Sequence, residues 1–405
     1  MPIDREVAVT GIGVVSACGY EVGEFWTNLR DGRSGIGPLT IVPTERLNCR
    51  FAAQVLSFSA EQNLGPRQGQ TMDRFAQFAV AAARAALTDS GLDLTAEDAD
   101  RIPVIVGTGV GGLNTLDDAF LALYGRDAAR LHPLTIPRLM VNAAASHISM
   151  DLGLRGEAYA VASACASSTH AIGQAFRAIV SNGADIAITG GTEACLTVGT
   201  IKAWEAMRVM SDEPCRPFSR DRSGMTLGEG AAILVLEEYG RAKARNAPIY
   251  ARISGYGASA DAADLVAPSA EGPARAMRLA LESGGLSPDA VDYVNAHGTG
   301  TMVNDLNEAR AIREVLGGQA DRVMVSSSKA VLGHCLGSAG ALEAAATALA
   351  LHHQTVPPTA NHTQPDNQIP LDVVPNVARE SRLRVALSNS FAFGGLNAVL
   401  AFEAA

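Results

Sequence analysis

At 405 residues the chain exceeds what one hydrophobic core usually supports, so two subdomains or one composite of two related halves are expected. A net charge of −10 with no Lys/Arg block argues against nucleic acid or an anionic membrane as partner, and 47% hydrophobic residues with 40 glycines describe a compact α/β enzyme, not a disordered or fibrous chain. No apolar run approaches the ~20 residues of a membrane span, MPIDREVAVTGIG reads as a first strand and not a secretion signal, and six cysteines without a CxxC pair argue against a zinc ribbon or a disulfide framework, leaving a reducing cytoplasm as the expected compartment.

Short β-rich runs then alternate with Ala-rich amphipathic runs: EVAVTGIGVVSA, TMDRFAQFAVAAARAALTDSG, RIPVIVGTGV, ADIAITGG and AAILVLEE. That alternation predicts a layered α/β fold with largely buried strands. From about Tyr250 the rhythm restarts with YARISGYG, ARAMRLALESGG, AVDYVNAHG, VMVSSSK, a long Ala-rich helix from about Ser338, LRVALSNSF and NAVLAFEA. Two halves of similar layout are expected, residues 1–250 and 251–405, on rhythm and without a visible sequence repeat. The segment VPPTANHTQPDNQIP reads as a surface loop.

Gly107, Gly109 and Gly112 satisfy GxGxxG between a strand and a helix, where a dinucleotide pyrophosphate could sit. No second strand ending in an acidic residue follows about twenty residues on, so the match reads as a chance product of many glycines. Cys165, in VASACASSTH, has small flanking residues and precedes the helix AIGQAFRAIV, whose N-terminal dipole favours a thiolate. The competing reading is a small buried hydrophobe. His297 lies where an apolar strand runs out into a Gly/Thr loop, and His334 in a glycine-flanked turn before a helix, both being places where α/β folds assemble sites. A cysteine with two histidines suits thioester chemistry, in which the thiolate takes an acyl group and imidazoles polarise a carbonyl or stabilise an enolate. No recurrent ligand spacing supports zinc, and His352-His353 reads as part of a polar loop after a helix.

The segments VAVTGIGVVSACG, SACASSTHAIG, CRPFSRDRSGMTLGEGA, VNAHGTGTMVNDLNEARAI, SSSKAVLGH and NSFAFGGLNAVL, in this order, resemble from end to end a β-ketoacyl-acyl carrier protein synthase of the elongating type. The resemblance implies a thiolase-like fold, two α/β halves in α-β-α-β-α layers, and condensation of malonyl-carrier with a cysteine-bound acyl chain. It implies that Cys165 is the acylated nucleophile and that His297 and His334 bind the malonyl thioester carbonyl. It further implies that Lys329 supports the second histidine, with Glu308 its ion-pair partner and Asp305 a nearby structural acid. Thr299 and Thr301 match threonines that hold the phosphopantetheine arm, and Phe393 matches a gating residue whose backbone N–H completes an oxyanion hole with that of Cys165. Val110 falls where chain length is controlled and Trp204 where an acyl-pocket wall is expected, ordinary core packing being the alternative for both, and Phe391 is expected among the substrate-binding residues. Some relatives hold a monovalent cation near positions matching Asn295, Glu343, Ser388 and Asn389.

The chain departs from the usual NSFGFGGTN at Ala392 and Leu396, which predicts a gate of restricted motion, and carries Ser219, Ser223 and Met225 where Asp, Asp and an aromatic are usual. The resemblance implies no cofactor beyond the carrier's phosphopantetheine, an acyl carrier protein as partner, and a homodimer or a heterodimer with a related subunit. Docking of an acidic carrier needs local basic surface, for which Arg67, Arg74, Arg126, Arg130 and Arg208 are candidates. KAWEAMR, CRPFS and NVARESRLRVALSNSFAFGG further resemble nodulation-type ketosynthases that build polyunsaturated chains. The alternatives are a non-catalytic chain-length-factor subunit, which lacks the nucleophile, a thiolase or initiating synthase on the same fold, and a nicotinamide oxidoreductase.

Overall fold

The computed structural model of the chain describes residues 5–267 and 269–405. In the first half the apolar runs become strands β1 (Val7–Ser16), β2 (Val104–Gly107), β3 (Ala158–Val161), β4 (Ile186–Glu193) and β5 (Gly230–Glu238). The second half supplies β6 (Ala251–Ala260), β7 (Val291–Asn295), β8 (Met324–Ser326), β9 (Val385–Ala392) and β10 (Leu396–Glu403). They form one ladder in the order β8-β7-β9-β10-β6-β1-β5-β4-β2-β3. From the centre outward each half reads first, fifth, fourth, second, third strand, with two antiparallel pairings followed by two parallel ones. The halves join where Val7–Val9 of β1 pairs with Ala251–Ile253 of β6.

The main helices that pack on this sheet and on one another are α1 (Arg74–Ser90), α2 (Ala143–Leu152), α3 (Ser167–Val180), α4 (Glu271–Ser283), α5 (Met302–Leu316) and α6 (Ala339–His353). Helix α1 shows why the sequence reads as it does. Asp73 caps it by accepting the Phe75 N–H, and Gly91 ends it in the left-handed region. It lies on β1 and β5 with α2 outside it, while α4 lies on β6 and β10 with α5 outside. Helices α3 and α6 pack against each other and against strands of both halves, giving the α-β-α-β-α layers of a thiolase-like fold. Helix α6 is buried from Ala339 to Leu351, as a helix apolar on every side must be.

Two local expectations change. His352 and His353 close α6 instead of starting a loop; the His353 ring stacks on Trp26 and the His352 ring packs tilted against Tyr250. Of the expected surface loop, Val356–Ala360 is buried, because the Thr359 hydroxyl donates to Val373 O and accepts the Ser327 N–H beside Lys329. All six cysteines are free and buried, and among the described residues no helix is long and apolar enough to cross a membrane.

Candidate active site

Cys165 and His334 come from topologically matched places in the two halves. Cys165 lies in a 3₁₀ turn, Ala164–Ala166, between β3 and α3. His334 lies between β8 and α6, and His297 two residues beyond β7. One donor or acceptor atom from each of the three lies within 4.8 Å of the other two. His334 Nε2 is 3.2 Å from Cys165 Sγ, and the two imidazoles meet edge to face with centroids 5.4 Å apart.

The backbone is strained beside Cys165: Ala164 has φ of 48°, a conformation costing on the order of 1–3 kcal/mol that persists only where its surroundings enforce it. Here Ser167 Oγ donates to Ala164 O and accepts the Ser163 N–H, and His170 Nδ1 sits 2.8 Å from Ser163 Oγ and 3.0 Å from Ala166 O.

Ring tautomers follow from the partners. The Leu336 N–H donates to His334 Nδ1, and the Lys329 ammonium, which can only donate, lies 3.3 Å from His297 Nδ1. Burial, reinforced by the charge of Lys329, holds both imidazoles well below their usual pKa, so they are neutral with the proton on Nε2. Both rings thus turn an Nε2–H donor toward the side of the site that holds the sulfur. Burial also pushes the Cys165 thiol up to about 12, against the sequence expectation that the helix terminus lowers it; desolvation outweighs the nearby Lys329 charge.

The support of this centre differs from what the resemblance implies. Lys329 serves His297, not His334: its ammonium also donates to His297 O at 2.6 Å and pairs with Glu343. Glu308 makes no ion pair with it. Its carboxylate accepts the N–H groups of His297 and Gly298 and the side chain of Asn389, bracing the loop, and burial raises it to about 7. Asp305 is structural, accepting from Phe218 N and Gly300 N beside the buried Arg222.

A cavity of about 440 Å³ leads from exposed Leu265, Val266, Met302 and Val303 down to Cys165, His297 and His334, past Thr299, Thr301, Phe391 and Phe393. The two threonine hydroxyls are 2.9 Å apart. Phe393, Gly394 and Gly395 form the turn of the β9–β10 hairpin, in which Ala392 pairs with Leu396. Ala392 has no positive φ, so the alanine adds no strain there. Trp204 does not line the cavity but packs against Phe393, the rings tilted by 39° with centroids 5.8 Å apart. Val110, 43% exposed, faces outward. Ser223 lines the cavity and bonds Ser211, Met225 packs in the apolar cluster around Cys165, and Ser219 is buried against Asp221 and Thr363. Arg74 is not free for docking: it pairs with buried Glu229 and covers Phe78. Arg67, Arg126, Arg130 and Arg208 are exposed.

The glycine fingerprint has a packing explanation. A Cβ on Gly107 would lie 2.3 Å from Ser168 N, so the glycine lets β2 touch the start of α3, and the cradle a dinucleotide would need is filled by protein.

The models of the beta-ketoacyl synthase N-terminal and C-terminal domains match residues 4–242 and 250–363. The chain belongs to the beta-ketoacyl synthase family. It is 46% identical to Nodulation protein E of Rhizobium sp. (strain N33) over 99% of this chain and all of that one, and 41% identical to 3-oxoacyl-[acyl-carrier-protein] synthase 2 of Staphylococcus aureus (strain COL) over 100% and 99%. Among solved structures, the ishigamide ketosynthase/chain length factor matches with a TM-score of 0.94 at 38% identity, covering 99% of each chain. This synthase is an acyltransferase.

Two further groups at the beta-ketoacyl synthase centre escape sequence reasoning. Glu343 was placed only in a cation set, yet it is the partner of Lys329. Glu193, wholly buried, joins loops far apart in the chain, and no spacing in the sequence announces that. The implied cation also meets a fitting donor set, since Glu343 Oε2, Ser388 Oγ and Asn389 Oδ1 are buried oxygens without hydrogen-bond partners and Asn295 pairs with Ser388 across the sheet.

Proposed function

We propose that this beta-ketoacyl synthase extends a carrier-bound acyl chain by two carbons through decarboxylative condensation. The observation that carries the reading is the convergence of two neutral Nε2–H imidazoles on the thiol sulfur at the foot of one cavity. In the first half-reaction Cys165 Sγ attacks the acyl thioester of an acyl carrier protein, and the pantetheine sulfur leaves with the thiol proton. Malonyl-carrier then enters past Thr299 and Thr301. Its thioester oxygen accepts from His297 and His334, CO₂ departs, and the electron pair of the broken bond forms an enolate held by these two donors. The enolate carbon attacks the acyl carbon and Cys165 Sγ leaves. Donors already fixed by Lys329 and Leu336 need no reorganisation as charge develops, which is where such sites gain most of their rate.

We infer no resident cofactor. A monovalent cation would be held by Asn295, Glu343, Ser388 and Asn389, where it supplies charge beside the Lys329–Glu343 pair. A second subunit is supported by exposed Phe120, Leu121, Tyr124, Ile136 and Met140 and by the edge strand β3, whose Tyr159 is exposed; an unpartnered apolar face of this kind belongs to an interface. Whether that subunit is a copy or a chain-length-factor relative is read by native mass spectrometry of the protein alone and co-expressed with a candidate partner. The relation to Nodulation protein E and to the ishigamide ketosynthase/chain length factor supports a specialised acyl chain, which we propose to be of polyene type and built in the cytoplasm. Turnover confined to ordinary saturated acyl-carriers overturns that part.

Intact-mass spectrometry of the protein with a panel of saturated and polyunsaturated acyl-carriers, followed by malonyl-carrier, tests the whole. A single adduct that discharges to a longer β-ketoacyl-carrier is expected. A chain that stays unmodified across the panel favours the partner-subunit reading.

A further inference from the structure

Glu193 ends β4 with no exposed surface. Its Oε2 accepts the N–H of Gly109 at 2.6 Å and that of Gly337 at 3.0 Å, and its Oε1 accepts the Thr108 hydroxyl at 3.0 Å. Burial raises this carboxyl to about 7 against the pull of those donors. The two segments it joins meet almost backbone to backbone. A Cβ on Gly337 would lie 2.0 Å from Gly109 N and 2.6 Å from Glu193 Oε2, so only glycine permits the approach.

Both segments reach the sulfur's surroundings. One, following β2, runs past the nucleophile turn, with Gly109 near Ala164 O, to Leu113, which packs on the apolar cluster containing Cys165. The other holds Leu336, a member of that cluster held at φ of 44°, whose N–H fixes His334 Nδ1. Cys165 packs in this cluster with Cys195, Leu196 and Ile201, so an acyl chain that turned from its sulfur into the cluster would meet these side chains.

We propose that Glu193 is a positioning residue which, through one carboxylate, sets both the walls of the acyl-chain pocket and the alignment of His334. Chain-length selectivity and imidazole placement are then coupled, because neither segment moves without the other. The role needs convergent acceptor oxygens more than charge, since the amide oxygen of a glutamine can take both backbone N–H groups while its NH₂ faces Thr108. The inference deepens the condensation reading and rests on it for its meaning in catalysis.

The test avoids carriers. Cys165 is alkylated with N-alkyl iodoacetamides from ethyl to dodecyl, and intact mass gives the rate at each length for the parent, Glu193→Ala and Glu193→Gln, with thermal melts recorded alongside. We expect Glu193→Ala to change the dodecyl-to-ethyl rate ratio by about tenfold, as a pocket wall moved by a methylene or more does, and Glu193→Gln to keep the parental ratio. A folded Glu193→Ala whose rates all change by one common factor overturns the proposal, as that is the signature of a merely structural role. If Glu193→Ala does not fold, Glu193→Asp, too short to reach both segments, is judged by the same ratio. A Gln variant that shifts the ratio as far as Ala overturns the acceptor account. Failure of the condensation reading shows separately, as a parent that forms no adduct with any acyl-carrier.

Discussion

The two halves of the molecule have the same strand order and different chemistry. After the third strand and before the central helix, the first half presents Cys165 and the second half His334. Two residues beyond the second strand, the first half has Gly109 and the second has His297. At the end of the fourth strand stand Glu193 in one and the Phe391–Phe393 gate in the other. One frame offers the same positions twice; the nucleophile occupies one set and the proton donors the other. On the proposed function this is a division of labour, with acylation assigned to the first half and enolate stabilisation to the second.

The sharpest break of this comparison is Cys165→Ala. It should abolish the acyl adduct in intact-mass spectra while leaving carbon dioxide release from malonyl-carrier, since both imidazoles and their supports remain; loss of both activities together would refute the division. His334→Ala or His297→Ala should do the reverse, lowering carbon dioxide release by about 10²–10³-fold, the usual effect of removing one preorganised donor, while Cys165 still takes an acyl group. Lys329→Met leaves Glu343 buried and unpaired, and denaturant titration should show a loss of about 3–5 kcal/mol, together with a weaker second step from the freed His297 ring.

A smaller effect concerns pH. With the thiol raised to about 12 and His334 held well below its usual value, the thiolate share of Cys165 lies far below one at neutrality and grows as pH rises toward the thiol's value. Its iodoacetamide rate should therefore climb about tenfold per unit from pH 7 to 10 without levelling off; a plateau by pH 8 would show that the helix terminus and not burial governs the sulfur. The smallest effect is expected for Trp204→Leu, which removes the tilted ring contact with Phe393, worth about 0.5–1.5 kcal/mol, and should alter the rate of malonyl-carrier entry more than the acylation of Cys165.

Much of this was legible in the chain because the signals are local. The apolar runs from Val7 and Val104, the capped helix between Asp73 and Gly91, and the Gly/Thr loop after Asn295 are read from neighbouring residues, and so is the placement of Cys165 and both histidines at element ends. The supports were less legible. Lys329 and Glu308 stand in recognisable motifs, yet the ion pair forms with Glu343, on the face of α6 turned toward Lys329, while Glu308 turns to backbone N–H groups.

The sequence by itself determined the layered α/β rhythm, the thiol and imidazole chemistry and the family, since periodicity and motif order are properties of the chain taken one segment at a time. Only the tertiary structure decided which carboxylate meets Lys329, which nitrogen of each imidazole keeps its proton, how far the Cys165 thiol is raised, and that Glu193 joins Gly109 to Gly337. Those outcomes depend on burial and on partners brought together from distant segments, and both exist only once the two halves have closed around α3 and α6.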